Sequence, residues 1–332
     1  MPTLNKQILL ASRPTTTVTP ENFKLVQTPL PPLNEGEVRI QNHFLSLDPY
    51  MRGRMNESKS YTAPQALNEV MIGGTVGEVV ESKNPAWTPG DKVGASFGWQ
   101  EYGTSNGNGL QRLDTSKIPI SAYLGAVGMP GVTAWYGVNK ILTPKPGQTL
   151  AVSAASGAVG TVVGQLAKRL GCHVVGIAGG PEKCRYVVDH LGFDHCVDYK
   201  TANLEPDLAA ATPNGIDAYF DNVGGPVLDA VLARMNAHGR IAVCGAISGY
   251  DGGTPPLTNP RLILIARLLI QGFIVSEHLE LWPQALAELQ SLAEQGHLKF
   301  RESIAQGLEA APEAFIGLLK GRNFGKQLVK LI

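Results

Sequence analysis

The chain has 332 residues, 43% of them apolar and 17% charged, with 38 glycines and 23 prolines. That composition supports a compact fold of two domains with many turns and excludes a disordered or fibrous chain. Lys and Arg number 28 and so do Asp and Glu, so no global field selects nucleic acid or an anionic membrane surface.

The N-terminal stretch MPTLNKQILLASRP has no basic region followed by a long apolar core, and a cytoplasmic location is the expectation. The first ~120 residues have β texture. EVRIQNHFLSL alternates, and MIGGTVGEVVES and GDKVGASF are short apolar runs between Gly and Pro turns. This spacing predicts a small barrel-like β domain. From about Leu124 strands alternate with helices. TLAVSAA reads as a strand and VGTVVGQLAKRLG as a helix with apolar residues at helical spacing, stopped by Gly171. HVVGIAGG is a second strand and PEKCRYVVDHLG a second helix, with Pro181 in its first turn and Gly192 past its end. AYFDNV and RIAVCGA are further strands, with GPVLDAVLARMNAHG between them. The most apolar stretch, Leu262 to Val275, is too short for a ~20-residue membrane span and is interrupted by Arg267 and Gly272. It reads as a buried helix followed by a strand, and GFIVSEH as an edge strand suited to pairing across a two-fold axis. GRNFGKQLVKLI returns to β texture and rejoins the first domain. The expected fold is α/β: a doubly wound parallel sheet over residues 125–304, and a β-rich domain from 1–124 and 305–332.

The strongest motif lies where the first αβ strand meets its helix. Ala155-Ser156-Gly157-Ala158-Val159-Gly160 fills the frame of a dinucleotide fingerprint, with Ala155 in place of the first glycine. Gly157 lets the backbone approach a pyrophosphate, and Gly160 lets the helix pack closely on the strand. The start of the helix offers amide groups and positive potential to phosphate. NAD enzymes usually carry a carboxylate at the end of the second strand, ~20 residues after the motif. Here Ala178-Gly179-Gly180 stand in that place, followed by the cations Lys183 and Arg185. A Lys suits a 2′-phosphate as a point charge, whereas Glu182 opposes one. The expected cofactor is NADPH.

A metal site is not expected. The β-rich domain has one histidine, His43, and no cysteine. Cys172, His173, Cys184, His190, His195 and Cys196 match no zinc spacing.

At this point the sequence resembles a family, the zinc-independent medium-chain dehydrogenases/reductases. The branch is that of prostaglandin and leukotriene reductases, plant double-bond reductases and bacterial curcumin-reductase-like enzymes. LSLDPYMRGRM, GDKVGASFGWQEY, GMPGVTAWYG, PGQTLAVSAASGAVG, FDNVGG, CGAISGY and GRNFGKQLV carry the resemblance, from about residue 44 to the C-terminus. It implies a Rossmann domain joined to a GroES-like β domain, commonly as a homodimer. The cofactor and substrate would occupy the cleft between the domains. It implies that Gly157 to Gly160 lie along the pyrophosphate, with Lys183 and Tyr199 at the 2′-phosphate. Asn222 and the loop Cys244, Gly245, Ala246, Ile247, Ser248 to Tyr250 would flank ribose and nicotinamide, and Asn323 would reach back from the C-terminal segment. Asn beside Gly also suits a plain turn. The implied reaction is reduction of the C=C bond of an α,β-unsaturated ketone or aldehyde, with Tyr250 as first candidate proton donor and Tyr50 as second. An aromatic wall of the substrate site is the competing role for both. Quinone reduction, a non-catalytic NADPH-binding role and, more remotely, methyl transfer are the alternatives.

Overall fold

The computed structural model describes residues 3–253 and 256–332. Two compact units form: one from Met1–Leu124, Glu302–Asn323 and Gln327–Ile332, the other from Gly125–Arg301 and Phe324–Lys326. Along the chain come β1 (Leu4–Leu10), β2 (Phe23–Pro29), β3 (Val38–Ser46), α1 (Tyr50–Arg54), β4 (Thr75–Ser82), β5 (Lys92–Ala95), β6 (Tyr102–Ser105) and β7 (Gln111–Arg112). The second unit holds α2 (Met129–Tyr136), β8 (Thr149–Ser153), α3 (Gly160–Arg169), β9 (His173–Ala178), α4 (Pro181–Asp189) and β10 (His195–Asp198). It continues with α5 (Leu204–Ala211), β11 (Ile216–Asp221), α6 (Gly225–Leu232), β12 (Met235–Val243), α7 (Arg261–Ala266), β13 (Leu269–Gly272) and α8 (Trp282–Glu294). The chain closes with β14 (Glu302–Gln306), α9 (Ala311–Leu319) and β15 (Lys326–Lys330).

In the first unit an antiparallel β1–β2 pair accompanies a sheet of order β14-β15-β3-β4-β5-β7, with β6 also paired to β3. The C-terminal segment rejoins this sheet: β15 runs antiparallel to β3, with Leu328 opposite Ser46. The core gathers around Trp99, which stacks on Phe23 at 5.2 Å and meets the edge of Phe315 at 5.7 Å. Aromatic pairs at these spacings add roughly 0.5–1.5 kcal/mol each beyond area burial.

The second unit is a six-stranded parallel sheet of order β10-β9-β8-β11-β12-β13. In strand order along the unit this is 3-2-1-4-5-6, the Rossmann arrangement, which reverses direction between β8 and β11. All five residues of β8 are buried, as expected of a strand covered on both faces. Helix α3 meets Phe193, in the loop before β10, at Gly164; a Cβ there would fall 1.7 Å from the ring.

The stretch from Leu262 departs from expectation. It does form a helix and then a strand, but neither is buried: Leu264 is 76% and Ile265 52% exposed, and Leu269 and Ile270 of β13 are exposed as well. Helix α7 stops after six residues because Arg267 takes a left-handed conformation, φ 51°. The edge strand is Leu269–Gly272, so GFIVSEH contributes only its first residue to it. Val275–Glu277 form a 3-10 turn instead. Apolar periodicity signals a covered face without saying what covers it, and here the described residues do not.

Candidate active site

At the end of β8 the chain turns sharply. Ala154 adopts φ 50°, a left-handed conformation that costs a non-glycine residue roughly 1–2 kcal/mol. The strained residue is thus one position before Ala155, which occupies the first-glycine place in the motif. The Gly157 amide donates to Ala154 O at 2.8 Å, and Ala158 and Val159 lead into α3. A Cβ on Gly160 would lie 2.4 Å from Ala154 O and 2.8 Å from Ala155 Cα, whereas on Gly157 the nearest atom is Ala154 O at 3.1 Å. Gly160 is therefore required by the turn itself, and Gly157 is crowded less severely, by Ala154.

A partner invisible in the motif comes from the far end of the chain. The Gly325 amide donates to Ser156 O at 3.0 Å, and Gly157 and Gly325 form a parallel bridge. Gly325 has φ 74°, and a Cβ there would fall 1.9 Å from Arg301 O. The Arg301 guanidinium sits over Phe324 at 3.9 Å, which holds this tripeptide in place.

Beside the turn, the last residue of β11 organises the neighbouring loops. Asp221 is 1% exposed. Its Oδ1 accepts from Ser153 Oγ (3.2 Å), Tyr219 OH (2.9 Å), Val223 N (3.0 Å) and Gly224 N (2.9 Å). The main chain of Asn222 donates to Ser153 Oγ at 2.9 Å and its side-chain amide to Ser153 O at 2.8 Å. Asn222 thus ties two strand ends together. The Cys244 and Gly245 amides donate to Asp221 O. Ile247 N and Ser248 N donate to the carbonyls of Asn222 and Val223, and Ser248 Oγ reaches Val223 O at 2.6 Å. Burial, and the Asp221 charge second, push the Cys244 thiol up to about 12, so Cys244 stays neutral. Neither Ser153 nor Asp221 stands out in the sequence; their role follows only from the strand order that sets β8 beside β11.

The end of β9 forms a cationic corner. Asp198 Oδ1 accepts from Gly180 N at 2.8 Å and Lys200 N at 3.0 Å, fixing the two loops against each other. A Cβ on Gly179 would lie 2.9 Å from both Lys200 Cε and Tyr199 Cε1. The place where NAD enzymes carry a carboxylate is filled by these two side chains. Lys183 is half-buried at the start of α4. Burial first and the like charge of Lys200 second hold its ammonium below the usual lysine range. The two cations therefore lie close enough to disfavour each other's charge. Lys200 is the member of this corner that the motif reading missed, and Arg185 is exposed on α4.

Tyr250 follows the Ile247–Gly249 turn, and its hydroxyl accepts from Ala246 N at 3.4 Å, folding the ring back over Gly245. Tyr50 opens α1 in the first unit and packs against that unit's core. Burial, then the nearby Asp48, raises its phenol well above the ordinary value. Asn323, with Glu313, Arg322 and Gln327, lines an open depression of about 360 Å³ in the first unit. Among the described residues no group of three or more His, Cys, Asp and Glu side chains is placed to hold a metal. His43 is half-buried on β3, and burial lowers its pKa.

Comparison with known proteins accounts for this arrangement. Residues 6–113 match the family model described as the N-terminal domain of oxidoreductase, and residues 158–291 that of zinc-binding dehydrogenase. An NADPH-dependent curcumin reductase of Escherichia coli is 44% identical over 98% of this chain and 97% of its own. The chain belongs to the zinc-independent branch of the medium-chain dehydrogenase/reductase family. A second relative, the NADP(+)-dependent 2-alkenal reductase of Nicotiana tabacum, is 43% identical over 90% of this chain and 88% of its own. The crystal structure of CurA from Vibrio vulnificus in complex with NADPH superposes with a TM-score of 0.94. It is 46% identical and covers 98% of this chain and 99% of that one. Within the medium-chain family, the second family model's zinc designation finds no ligand set in this member's β-rich unit, where His43 is the one histidine and cysteine is absent.

Proposed function

We propose that this medium-chain reductase uses NADPH to reduce the carbon–carbon double bond of α,β-unsaturated ketones and aldehydes. The observation that carries this reading is its near-full-length relation to reductases named for curcumin and for 2-alkenals. Both kinds of molecule conjugate a C=C bond to a carbonyl.

The second unit is assigned the cofactor. The backbone at Gly157 and the α3 start suit the pyrophosphate, and Lys183, Lys200 and Tyr199 suit the 2′-phosphate. Asn222 Oδ1 and the loop from Cys244 through Ala246 to Tyr250 are assigned to ribose and nicotinamide. Asn323, two residues before the Gly325 anchor, remains assigned as a further cofactor contact. Bound NADPH supplies the hydride that the β-carbon of the enone accepts. The chain's own task is then to stabilise the negative charge that develops on the substrate oxygen, which hydrogen-bond donors in a dry site do well. It must also deliver a proton to the α-carbon. Tyr250 is assigned as donor, since it carries a hydroxyl on the loop assigned to the nicotinamide. Tyr50 is the alternative, its proton held more firmly by burial.

The working assembly is assigned as a homodimer. What supports it is β13, an edge strand with exposed Leu269 and Ile270 beside exposed Leu264 and Ile265; such an edge invites pairing with a second copy. A reducing compartment such as the cytoplasm fits four cysteines that form no disulfide.

The test is NADPH oxidation followed by absorbance against enones, enals, quinones and saturated ketones, with NADH in parallel and with and without a chelator. Chelator-insensitive turnover of enones and enals with NADPH is expected. Turnover of quinones alone would replace this reading with quinone reduction. Cofactor binding without any turnover would point to a binding protein.

A further inference from the structure

The first unit holds a guanidinium that the fold leaves unmatched. Its other buried and half-buried arginines are committed. Arg13 donates to Glu57 Oε1 at 2.8 Å and to the Met55 and Gln65 carbonyls. Arg39 donates to Pro31 O, and its Nε faces Glu81 Oε2 at 3.7 Å. Arg52 donates to Asn56 Oδ1 at 2.6 Å and to Thr16 O at 2.7 Å. Arg54 is half-buried at the end of α1, and its Nε is buried with no acceptor among the described residues. No carboxylate among them pairs with it either. The acidic residues nearest along the chain are engaged elsewhere, Asp48 with Ser46 Oγ and Glu57 with Arg13. A buried N–H without an acceptor is a cost that native proteins seldom carry unless a ligand or water meets it.

Helix α1 sets what can reach this group. Tyr50 and Arg54 are four residues apart and share one side of the helix. Met51 and Met55, about 100° further round, enter the core. On the other flank is Gly53, where a Cβ would meet nothing within 4 Å. The side carrying Tyr50 and Arg54 therefore lies between the packed core and open space. Its backbone is fixed, since Gln65 N donates to Arg54 O at 2.7 Å and Met55 O accepts from Arg13. A guanidinium fork held on a fixed backbone loses little freedom on meeting a ligand.

We propose that Arg54 is a specificity residue that recognises a carboxylate on the substrate, so that the preferred substrates are enones and enals carrying an acid group. The Nε–H and one Nη–H of a guanidinium form an edge that fits both oxygens of a carboxylate. The unmet Nε of Arg54 is half of that edge. A single cation, with Arg52 committed elsewhere, suits a singly charged anion and leaves a phosphate dianion short of charge. A carboxylate at Arg54 lies one helical turn from Tyr50, the alternative proton donor, and the rest of the substrate extends past that ring. The reacting end of the molecule rests on the proposed enone reduction, whereas the anion site does not.

The test compares linear trans-enones that end in a carboxylate with their methyl esters, over a series of chain lengths. NADPH oxidation is followed with the wild-type protein, Arg54→Gln and Arg54→Lys. At the best chain length the wild-type KM for the acid should lie about tenfold or more below that for the ester. Arg54→Gln should bring the two KM values together, chiefly by raising that of the acid. Arg54→Lys should recover part of the preference, since it restores the charge without the fork. The wild-type preference should also shrink in high salt.

A wild type with no preference for the acid at any chain length would overturn the proposal. So would an Arg54→Gln protein that keeps the preference, or one that loses acid and ester turnover alike with its circular dichroism unchanged. If Arg54→Gln does not fold, the wild-type ratio of acid to ester and its decline in Arg54→Lys decide. Failure to reduce any enone would remove the proposed function instead. Calorimetric binding of the saturated keto acid to the NADP+-loaded protein then decides the anion site. Binding that Arg54→Gln or Arg54→Lys weakens supports it, and no binding, or binding equal to that of the ester, overturns it.

Discussion

At the scale of single residues, Lys183 and Tyr250 carry the most testable roles. Lys183→Ala is expected to weaken NADPH binding roughly ten- to hundredfold while leaving NADH nearly unchanged, because a charge-assisted hydrogen bond contributes about 1.5–3 kcal/mol. Fluorescence titration of both cofactors checks it, and an equal loss for NADH would remove Lys183 from the phosphate site. The pH dependence has a definite sign. In the free protein burial and Lys200 hold Lys183 below its ordinary value, and a bound dianion raises it. Binding therefore takes up a proton between the two values, and NADPH affinity should fall as pH rises through that window. Calorimetry in buffers of different ionisation enthalpy reads this uptake, which NADH should not show. For Tyr250→Phe, kcat with an enone should drop by about a hundredfold or more with NADPH affinity kept. An unchanged kcat would pass the proton to Tyr50 or to water.

At the scale of elements, the β8–α3 turn is held by close approach. Gly160→Ala drives a Cβ to 2.4 Å from Ala154 O, and Gly325→Ala drives one to 1.9 Å from Arg301 O. Each is expected to cost about 1–3 kcal/mol from overpacking, lowering the urea midpoint. Gly325→Ala should weaken cofactor binding too, although it lies 165 residues along the chain from Gly160. A Gly325→Ala protein with native stability and affinity would show that the tripeptide merely passes by. The turn was legible in the sequence because glycines that admit close backbone contact sit between a strand and an amphipathic helix. Its C-terminal clasp was not, since one amide-to-carbonyl bond from residue 325 to residue 156 leaves no periodic signal.

At the scale of the whole molecule, the apolar edge at α7 and β13 needs a cover. Ile270→Lys, placed on the edge strand, is expected to shift the protein from dimer to monomer by light scattering with its fold intact by circular dichroism. A wild-type monomer at micromolar concentration would remove the assembly assigned here. The sequence marked this stretch as apolar and placed it inside. The structure shows that a short helix stopped at Arg267 and a four-residue strand leave Leu264 and Leu269 uncovered.

The sequence alone determined what depends on local order. Strand–helix alternation specified the parallel sheet, and the Ala155–Gly160 frame located the β8–α3 turn proposed to hold phosphate. Gly179 and Gly180 with Lys183 raised the expectation of NADPH, since side-chain period and backbone permissiveness act over a few residues. Only the tertiary structure decided what depends on residues far apart in the chain. The order 3-2-1-4-5-6 brings Ser153 beside Asp221, turning an ordinary aspartate into the hub of two loops. The packing of α4 on β10 brings Lys183 near Lys200. Pairing across a parallel sheet joins residues separated by a whole helix and its loops, and no pattern within a window of sequence records which of them will meet.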